Sequence, residues 1–278
     1  MNDVILLAEK LYKNHSLTVS EYEKLISERT SESVQYLMEK ADEVRKRVYG
    51  NHVFVRGLIE ISNICKNDCL YCGIRGGNAN CERDRLTPEE ILVRCKEGYA
   101  LGFRTFVLQG GEGVFSADDI SGIVKKIKEK YPECAVTLSL GEYQKSDYEK
   151  MKNAGADRYL LRHETICKEH YEKLHPQNMS YDNRLRCLKD LKELKFQVGC
   201  GFLIGSPYQN DEIIAKEFKF LEEFSPEIQN WITEEYSPEI QGWITEEFAP
   251  TMENWLMEEY TPEQSAIIEQ KVNENVSA

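Results

Sequence analysis

The segment that decides the fold runs from residue 53 to residue 72, VFVRGLIEISNICKNDCLYC, and joins an apolar run to three closely spaced cysteines. Val, Ile, Phe and Leu dominate residues 53–62, a composition typical of a buried β-strand. Cys65, Cys69 and Cys72 then follow in a C-x3-C-x2-C spacing. From residue 53 onward, strand patterns alternate with amphipathic helix patterns, which indicates an α/β fold.

The strand–helix alternation continues through four more strand patterns. We expect strands at residues 53–62, 105–109, 135–140, 157–162 and 197–204, with helices at residues 87–101, 118–130, 146–154, 180–194 and 211–224. The sequence Thr87-Pro88-Glu89-Glu90 is typical of a helix N-terminus. Because repeated βα order gives a parallel sheet, the carboxyl ends of about five strands should share one edge, where such folds gather their chemistry.

The regions before and after this alternation differ from it in composition. Residues 1–51 show the patterns of three helices with exposed charge, which predicts a helical lead-in. Residues 225–278 contain a twelve-residue repeat, SPEIQNWITEEY, SPEIQGWITEEF and APTMENWLMEEY. This repeat is either a stack of short helices or an acidic disordered tail. The predicted organisation is therefore a lead-in at 1–51, a βα region at 52–224 and an acidic repeat tail at 225–278.

Charge and hydropathy narrow the classes of partner. The net charge is −13, and residues 225–278 hold 12 Glu and one Lys, which leaves 36 acidic and 34 basic residues in 1–224. The chain has no basic block, so we expect no nucleic-acid partner. It has no run of about 18 apolar residues, so we expect no membrane span. Nine unevenly spaced cysteines and the absence of a signal-peptide pattern predict a reducing, cytoplasmic location.

Three cysteines on one tight loop have two chemical interpretations. Cys65, Cys69 and Cys72 can each bind one iron of a 4Fe-4S cluster, which leaves the fourth iron with an open coordination position for a ligand. The alternative is a structural zinc site that recruits Cys81 as its fourth ligand. The C-x3-C-x2-C spacing directly after a strand favours the cluster.

Polar residues also follow the other predicted strands. They are Gln109-Gly110-Gly111-Glu112 after the second strand, Ser139 and Glu142 at the third, Arg162-His163-Glu164 at the fourth, and Arg184 at the start of the next helix. An arginine fork suits a carboxylate, and an acidic side chain suits a diol or a cation. The alternatives are ordinary turn glycines, a serine bonded to the backbone, and a structural salt bridge of Glu164 with Arg162 or Arg184.

The strings around these motifs resemble the radical S-adenosylmethionine (SAM) superfamily and, within it, FeFe-hydrogenase maturases of the HydE type. The resemblance covers about residues 35–209 and rests on IEISNICKNDCLYCGIR, LTPEEI, VLQGGEG, TLSLGE, AGADRYLLRHET and DNRLRCLKDLKELKFQVGCGFLIGSP. It implies a TIM-like (βα) barrel. This barrel is partial, because the later strands of the family have no counterpart after Ser206-Pro207.

The resemblance also implies cofactors and residue roles. A 4Fe-4S cluster would bind Cys65, Cys69 and Cys72, and SAM would bind a set of strand-end residues: Gln109, Gly110, Gly111, Glu112, Ser139, Glu164 and Arg184. Glu164 would accept from the ribose hydroxyls, and Arg184 would pair with the methionyl carboxylate. Reductive cleavage of SAM gives methionine and a 5'-deoxyadenosyl radical.

The implied partners follow from that reaction. They are a small-molecule or organometallic substrate, an electron donor such as ferredoxin or flavodoxin, and other hydrogenase maturation proteins. Two further functions are compatible with the sequence. One is another radical SAM mutase or synthase, biotin-synthase-like or methylornithine-synthase-like. The other is a truncated, non-catalytic chimera that keeps a cluster and uses its acidic repeat as an interaction segment.

Overall fold

A computed structural model describes residues 3–52 and 55–225 of the chain. Its elements, in chain order, are α1 Asp3–Asn14, α2 Val19–Ser27, α3 Ser31–Tyr49, β1 Gly57–Ser62, α4 Pro88–Ala100, β2 Thr105–Gly110, α5 Ala117–Lys130, β3 Ala135–Ser139, α6 Lys145–Asn153, β4 Arg158–Leu160, α7 Lys168–Leu174, α8 Tyr181–Glu193, β5 Gln197–Gly199 and α9 Asp211–Phe224. The acidic repeat lies outside the described residues. The limits 1–51, 52–224 and 225–278 therefore stay predictions.

The five strands form one parallel sheet in the order of the chain. Each strand pairs with the next, from β1 to β5, and every connection contains at least one helix. The register places Glu60, Gln109 and Ser139 in one row across the first three strands. The predicted α/β class and parallel sheet are confirmed, and the carboxyl ends of the strands meet at one edge.

Side-chain caps fix where the helices after the strand-end loops begin. Thr87 accepts from the backbone N–H of Glu90, and the Glu90 carboxylate accepts from the backbone N–H of Thr87. Ser116 and Asp119 make the same reciprocal pair at the start of α5. Because these caps satisfy the free N–H groups locally, each helix begins at a defined residue and sets the length of the loop before it.

The sheet has one apolar face and one polar face. Successive side chains of a strand point to opposite faces. The face opposite Glu60, Gln109 and Ser139 is buried against α4, α5, α6 and α8, and its residues are Ile59, Ile61, Phe106, Leu108, Val136, Leu138, Tyr159 and Val198. The polar face is the one that remains open for a site.

Helix α9 joins the N-terminal helices to the rest of the fold. Tyr22 of α2 stacks on Phe218 of α9 with ring centroids 5.6 Å apart, and Ser16 Oγ donates to Glu222 Oε1 at 2.5 Å. An apolar cluster closes this contact: Val4, Ala8, Leu17, Tyr22, Leu25 and Ala215. The outer side of α9 is therefore covered by the lead-in helices.

The structure departs from the sequence expectations at the end of the sheet. β4 and β5 are each three residues long, because the residues after them leave the ladder and keep only one bridge, between Glu164 and Phe202. Helix α7, KEHYEKL, was not expected because its charged residues hide a buried side made of His170, Tyr171 and Leu174. Among the described residues, no helix is long and apolar enough to cross a membrane.

We expect Leu138→Ala to lower the free energy of unfolding by about 2–5 kcal/mol, because it leaves a cavity in the core. Leu138 is fully buried on the middle strand. The control is Val93→Ala, at a half-exposed position on α4, which should change that free energy by less than about 0.5 kcal/mol. Urea unfolding followed by circular dichroism measures both. Equal losses in the two variants would contradict the assignment of the apolar face.

Candidate functional site

A cavity of about 500 Å³ opens at the carboxyl edge of the sheet. Its lining contains all ten residues that the sequence singled out as ligands: Cys65, Cys69, Cys72, Gln109, Gly110, Gly111, Glu112, Ser139, Glu164 and Arg184. They come from the ends of β1 to β4 and from α8. The fold thus brings together residues that are widely separated in the chain, while their binding roles remain proposals.

The cysteine loop lies directly against the segment that follows β2. Lys66 N donates to Glu112 O at 2.8 Å, and Glu112 N donates to Cys65 Sγ at 3.4 Å. A β-carbon on Gly111 would lie 1.9 Å from Ile64 O. Only glycine allows this approach. The second glycine of the Gly110-Gly111 pair therefore has a packing role towards the cysteine loop.

Arg83 holds the cysteine loop by its backbone carbonyls. Its two terminal nitrogens donate to four carbonyl oxygens: Asn63 O at 2.7 Å, Ile74 O at 2.8 Å, Arg75 O at 2.7 Å and Asn78 O at 3.3 Å. No sequence pattern indicates this role, because the acceptors are backbone groups that any residue provides. A planar fork of five donors suits such a set of acceptors.

Arg184 is buried in the cavity wall and pairs with Glu142. Arg184 Nε lies 2.7 Å from Glu142 Oε1, but the N–H is not directed at that oxygen, and neither atom has a hydrogen bond in the described part of the chain. Glu142 also accepts from Asn183 Nδ2. Burial disfavours the charged guanidinium, but the nearby acidic groups, Glu142 first among them, together outweigh burial and raise the pKa of Arg184. Arg184 is thus a fixed cation whose ion-pair partner is Glu142, and not Glu164, which the sequence had left open as an alternative.

Glu164 occupies a strained turn beyond the end of β4. Its φ is +66°, and Thr165 N donates to His163 O at 2.8 Å, which closes a γ-turn centred on Glu164. A γ-turn of positive φ is rare, and such a conformation costs about 1–3 kcal/mol in a residue other than glycine. The Glu164 backbone also donates to Gly201 O at 3.2 Å and accepts from Leu203 N at 2.9 Å.

The Glu164 carboxyl group is buried, with 6% of the residue exposed. Burial raises the pKa of Glu164, and Arg162, whose Nε lies 3.6 Å from Oε1, opposes that shift. Within the described residues, Oε2 has no hydrogen-bond partner. A buried acceptor without a partner in a cavity wall is available to a ligand hydroxyl.

Tyr71 is fixed beside the cysteines by a neutral histidine. The Tyr71 hydroxyl lies 3.0 Å from His175 Nε2, and His175 Nδ1 donates to Tyr171 O at 2.8 Å. Burial lowers the pKa of His175 to about 4, so the ring is neutral at pH 7 and Nε2 accepts from Tyr71. Sequence reasoning missed His175 because it did not predict α7.

Four of the other cysteines are poor candidates for the site. Cys95, Cys134, Cys187 and Cys200 are buried in the core, and burial raises the pKa of Cys95 and Cys200 to about 12. Within residues 3–52 and 55–225, no three His, Cys, Asp or Glu side chains converge on one metal ion. Three thiolates on one loop can each bind one iron and leave the fourth iron open, so this donor set fits a 4Fe-4S cluster.

Comparison with known proteins defines the class to which this fold and site belong. Residues 59–221 match the radical SAM superfamily. The chain is a member of that superfamily.

Particular relatives refine the comparison. The chain is 47% identical over 188 residues to the FeFe-hydrogenase maturase subunit HydE of Thermotoga maritima, a match that covers 67% of this chain and 53% of that protein. The crystal structure of methylornithine synthase (PylB) superimposes with a TM-score of 0.71 at 28% identity and covers 79% of this chain and 65% of that chain. The crystal structure of the maturase HydG superimposes with a TM-score of 0.69 at 26% identity and covers 80% of this chain and 51% of that chain. The chain spans about half the length of the HydE relative. The predicted resemblance and the radical SAM barrel class are confirmed.

We expect Gly111→Ala to destabilise the protein and to reduce the iron it retains after anaerobic reconstitution, because the added methyl group would push the cysteine loop away from β2. Gly122→Ala is a matched control, since Gly122 lies in α5 with nothing within 4 Å of the added carbon. It should stabilise the protein by about 0.5–1 kcal/mol. Thermal unfolding and iron assays measure both variants, and equal iron retention would contradict the proposed role of Gly111.

We expect Arg83→Lys to lower iron retention by about tenfold or less while the fold persists, since one ammonium group cannot reach four carbonyls in a planar fork. Arg94→Lys is the control, because Arg94 is exposed and pairs with Glu97 on the same helix, α4, away from the cysteine loop. Proteolysis within residues 63–84 should become faster in the Arg83 variant alone. Unchanged proteolysis in that variant would show that Arg83 does not order the loop.

Proposed function

We propose that this chain binds a 4Fe-4S cluster through Cys65, Cys69 and Cys72 and reductively cleaves SAM in the assembly of the FeFe-hydrogenase active site. The observation that carries the proposal is a single cavity that combines the three thiols with the strand-end residues of four β-strands. The 47% identity to a HydE maturase supports the maturation context.

The cysteine loop suits an iron–sulfur cluster in its donor set and in its surroundings. Three thiolates leave one iron open for a ligand, and the Glu112 N–H donates to Cys65 Sγ, which stabilises charge on that sulfur. When bound, the cluster supplies the electron that breaks the S–C5' bond of SAM and yields methionine and a 5'-deoxyadenosyl radical. The protein has to hold SAM in place and keep water out.

The residues around the cavity complement the functional groups of SAM. Arg184, held by Glu142, suits the methionyl carboxylate, and the unpaired Oε2 of Glu164 suits a ribose hydroxyl. Tyr71 offers a ring to the adenine from a position fixed by His175. The other residues that we propose to contact SAM lie at the ends of β2 and β3: Gln109, Gly110, Gly111, Glu112 and Ser139.

The polar face of the sheet is the proposed surface for the molecule that the radical attacks. Glu60, Ser139 and Arg162 line the cavity away from the apolar core, so they suit a small-molecule or organometallic substrate with polar groups. The cluster requires a one-electron donor such as ferredoxin or flavodoxin, and other hydrogenase maturation proteins are proposed partners. A second candidate, a rearrangement of the methylornithine-synthase type, is favoured by the superposition on PylB at a TM-score of 0.71.

Anaerobic reconstitution with iron and sulfide, followed by an assay for 5'-deoxyadenosine with dithionite as reductant, tests the proposal. The wild-type chain should bind about four irons and cleave SAM. Cys65→Ala, Cys69→Ala and Cys72→Ala should each lose SAM cleavage, because each removes one iron ligand.

Cys81→Ala is the matched control, since Cys81 is the fourth ligand that the zinc interpretation requires. It should retain iron and activity. If the wild-type chain instead binds one zinc ion and Cys81→Ala does not bind it, the cluster assignment is wrong. A stable cluster without 5'-deoxyadenosine would instead support the non-catalytic interpretation. Incubation with substrate precursors of hydrogenase maturation or of methylornithine synthesis separates the two enzyme candidates by product.

A further inference from the structure

We infer that Glu217 of α9 is a positioning residue that locks the γ-turn from which Glu164 enters the cavity. Glu217 does not itself belong to the cavity lining in the described part of the chain. The inference rests on the proposed function for the identity of the ligand, SAM. The locking itself rests only on the contacts of Glu217.

The Glu217 carboxylate is fully buried and binds both sides of the turn. Oε1 accepts from Thr165 Oγ1 at 2.7 Å and from Ile166 N at 2.8 Å. Oε2 lies 3.0 Å from His163 Nε2. The Glu217 carboxylate thus contacts the residue before Glu164, His163, and the two residues after it, Thr165 and Ile166.

The turn needs such an anchor because its conformation is unfavourable by itself. A residue other than glycine keeps a positive φ only where the surrounding structure over-determines it. The sheet side supplies two backbone hydrogen bonds, to Gly201 O and from Leu203 N. These bonds fix the backbone of Glu164 but do not reach the side chains of His163 and Thr165. Glu217 holds both side chains from the helix side, and this limits the directions that the Glu164 side chain can take.

The anchor is itself packed on both sides. Helix α9 is packed on its outer side by the N-terminal helices through Ala215 and through the Tyr22–Phe218 ring stack. On the inner side, Thr165 Oγ1 also lies 3.1 Å from His170 Nδ1, and His170 Nε2 donates to Pro207 O at 2.9 Å. Polar contacts therefore extend from α9 through the turn to Pro207, in the segment after β5.

Removal of the carboxylate would open the turn rather than leave it unchanged. The Ile166 N–H and the Thr165 hydroxyl would lose the carboxylate oxygen that accepts from both, and a donor that loses its acceptor inside the fold costs more than one exposed to water. Gln at position 217 keeps one oxygen for these two donors, whereas Leu keeps none. The turn should therefore open more in Glu217→Leu than in Glu217→Gln, and least in the wild type.

The experiment compares wild type, Glu217→Leu and Glu217→Gln by three measurements on the full chain. The first is amide hydrogen exchange of the 163–166 peptide. The second is the dissociation constant of SAM, measured by anaerobic calorimetry on the cluster-loaded protein, and the third is the rate of 5'-deoxyadenosine formation. We expect faster exchange and SAM binding weaker by about tenfold for Leu, which corresponds to about 1.4 kcal/mol, with a smaller effect for Gln. In both variants, the rate of 5'-deoxyadenosine formation at saturating SAM should fall by a smaller factor than the affinity for SAM.

Glu222→Leu is the control for general destabilisation of α9, because Glu222 contacts Ser16 and Tyr22 on the other side of the helix. It should leave exchange at 163–166 and the SAM dissociation constant unchanged. An unchanged SAM dissociation constant in a folded Glu217→Leu protein overturns the inference, as does equal weakening by Glu222→Leu. If Glu217→Leu does not fold, Glu217→Gln takes its place: an unchanged SAM dissociation constant in that variant, or equal weakening by Glu222→Leu, overturns the inference. A wild-type protein that holds its cluster but does not bind SAM refutes the proposed function, and hydrogen exchange then decides whether Glu217 locks the turn.

Discussion

The absence of a side chain at Gly111 is the constraint on which the candidate site depends. A β-carbon there would lie 1.9 Å from Ile64 O, so the cysteine loop lies against the end of β2 only because this residue is glycine. That contact places Cys65 beside the backbone of Glu112. From there the cavity wall extends along the carboxyl edge of the sheet to Arg184. The lack of a side chain at Gly111 thus allows the three thiols to lie in the same cavity as the polar residues at the strand ends.

The order and direction of the main elements were predictable because local patterns determine them. Apolar runs marked the strands, and the capping sequence at Thr87 marked where α4 begins. The ends of β4 and β5 were not predictable, because tertiary contacts decide where a chain leaves the ladder. Helix α7 escaped prediction since its buried side includes His170 and Tyr171, residues that a hydrophobic pattern does not count as strongly apolar.

The composition of the site was predictable for a different reason. Parallel strands bring their carboxyl ends to one edge, so polar residues that follow successive strands are expected to meet. The residues that hold the site together were not predictable. Arg83 acts on backbone carbonyls, His175 acts through Tyr71, and Glu217 acts through a turn. The partner of Arg184 was also beyond sequence reasoning, because the choice between Glu142 and Glu164 depends on side-chain geometry.

The position of Glu217 in the chain has a consequence for the order in which the site is completed during synthesis. The cysteine loop and its support from β2 lie within the first half of the described residues, whereas the carboxylate that holds the Glu164 turn comes 52 residues after Thr165. A ribosome delivers the thiols long before it delivers α9. The sulfur ligands can therefore be assembled first, and the surroundings of Glu164 acquire their final shape only when the last described helix has docked.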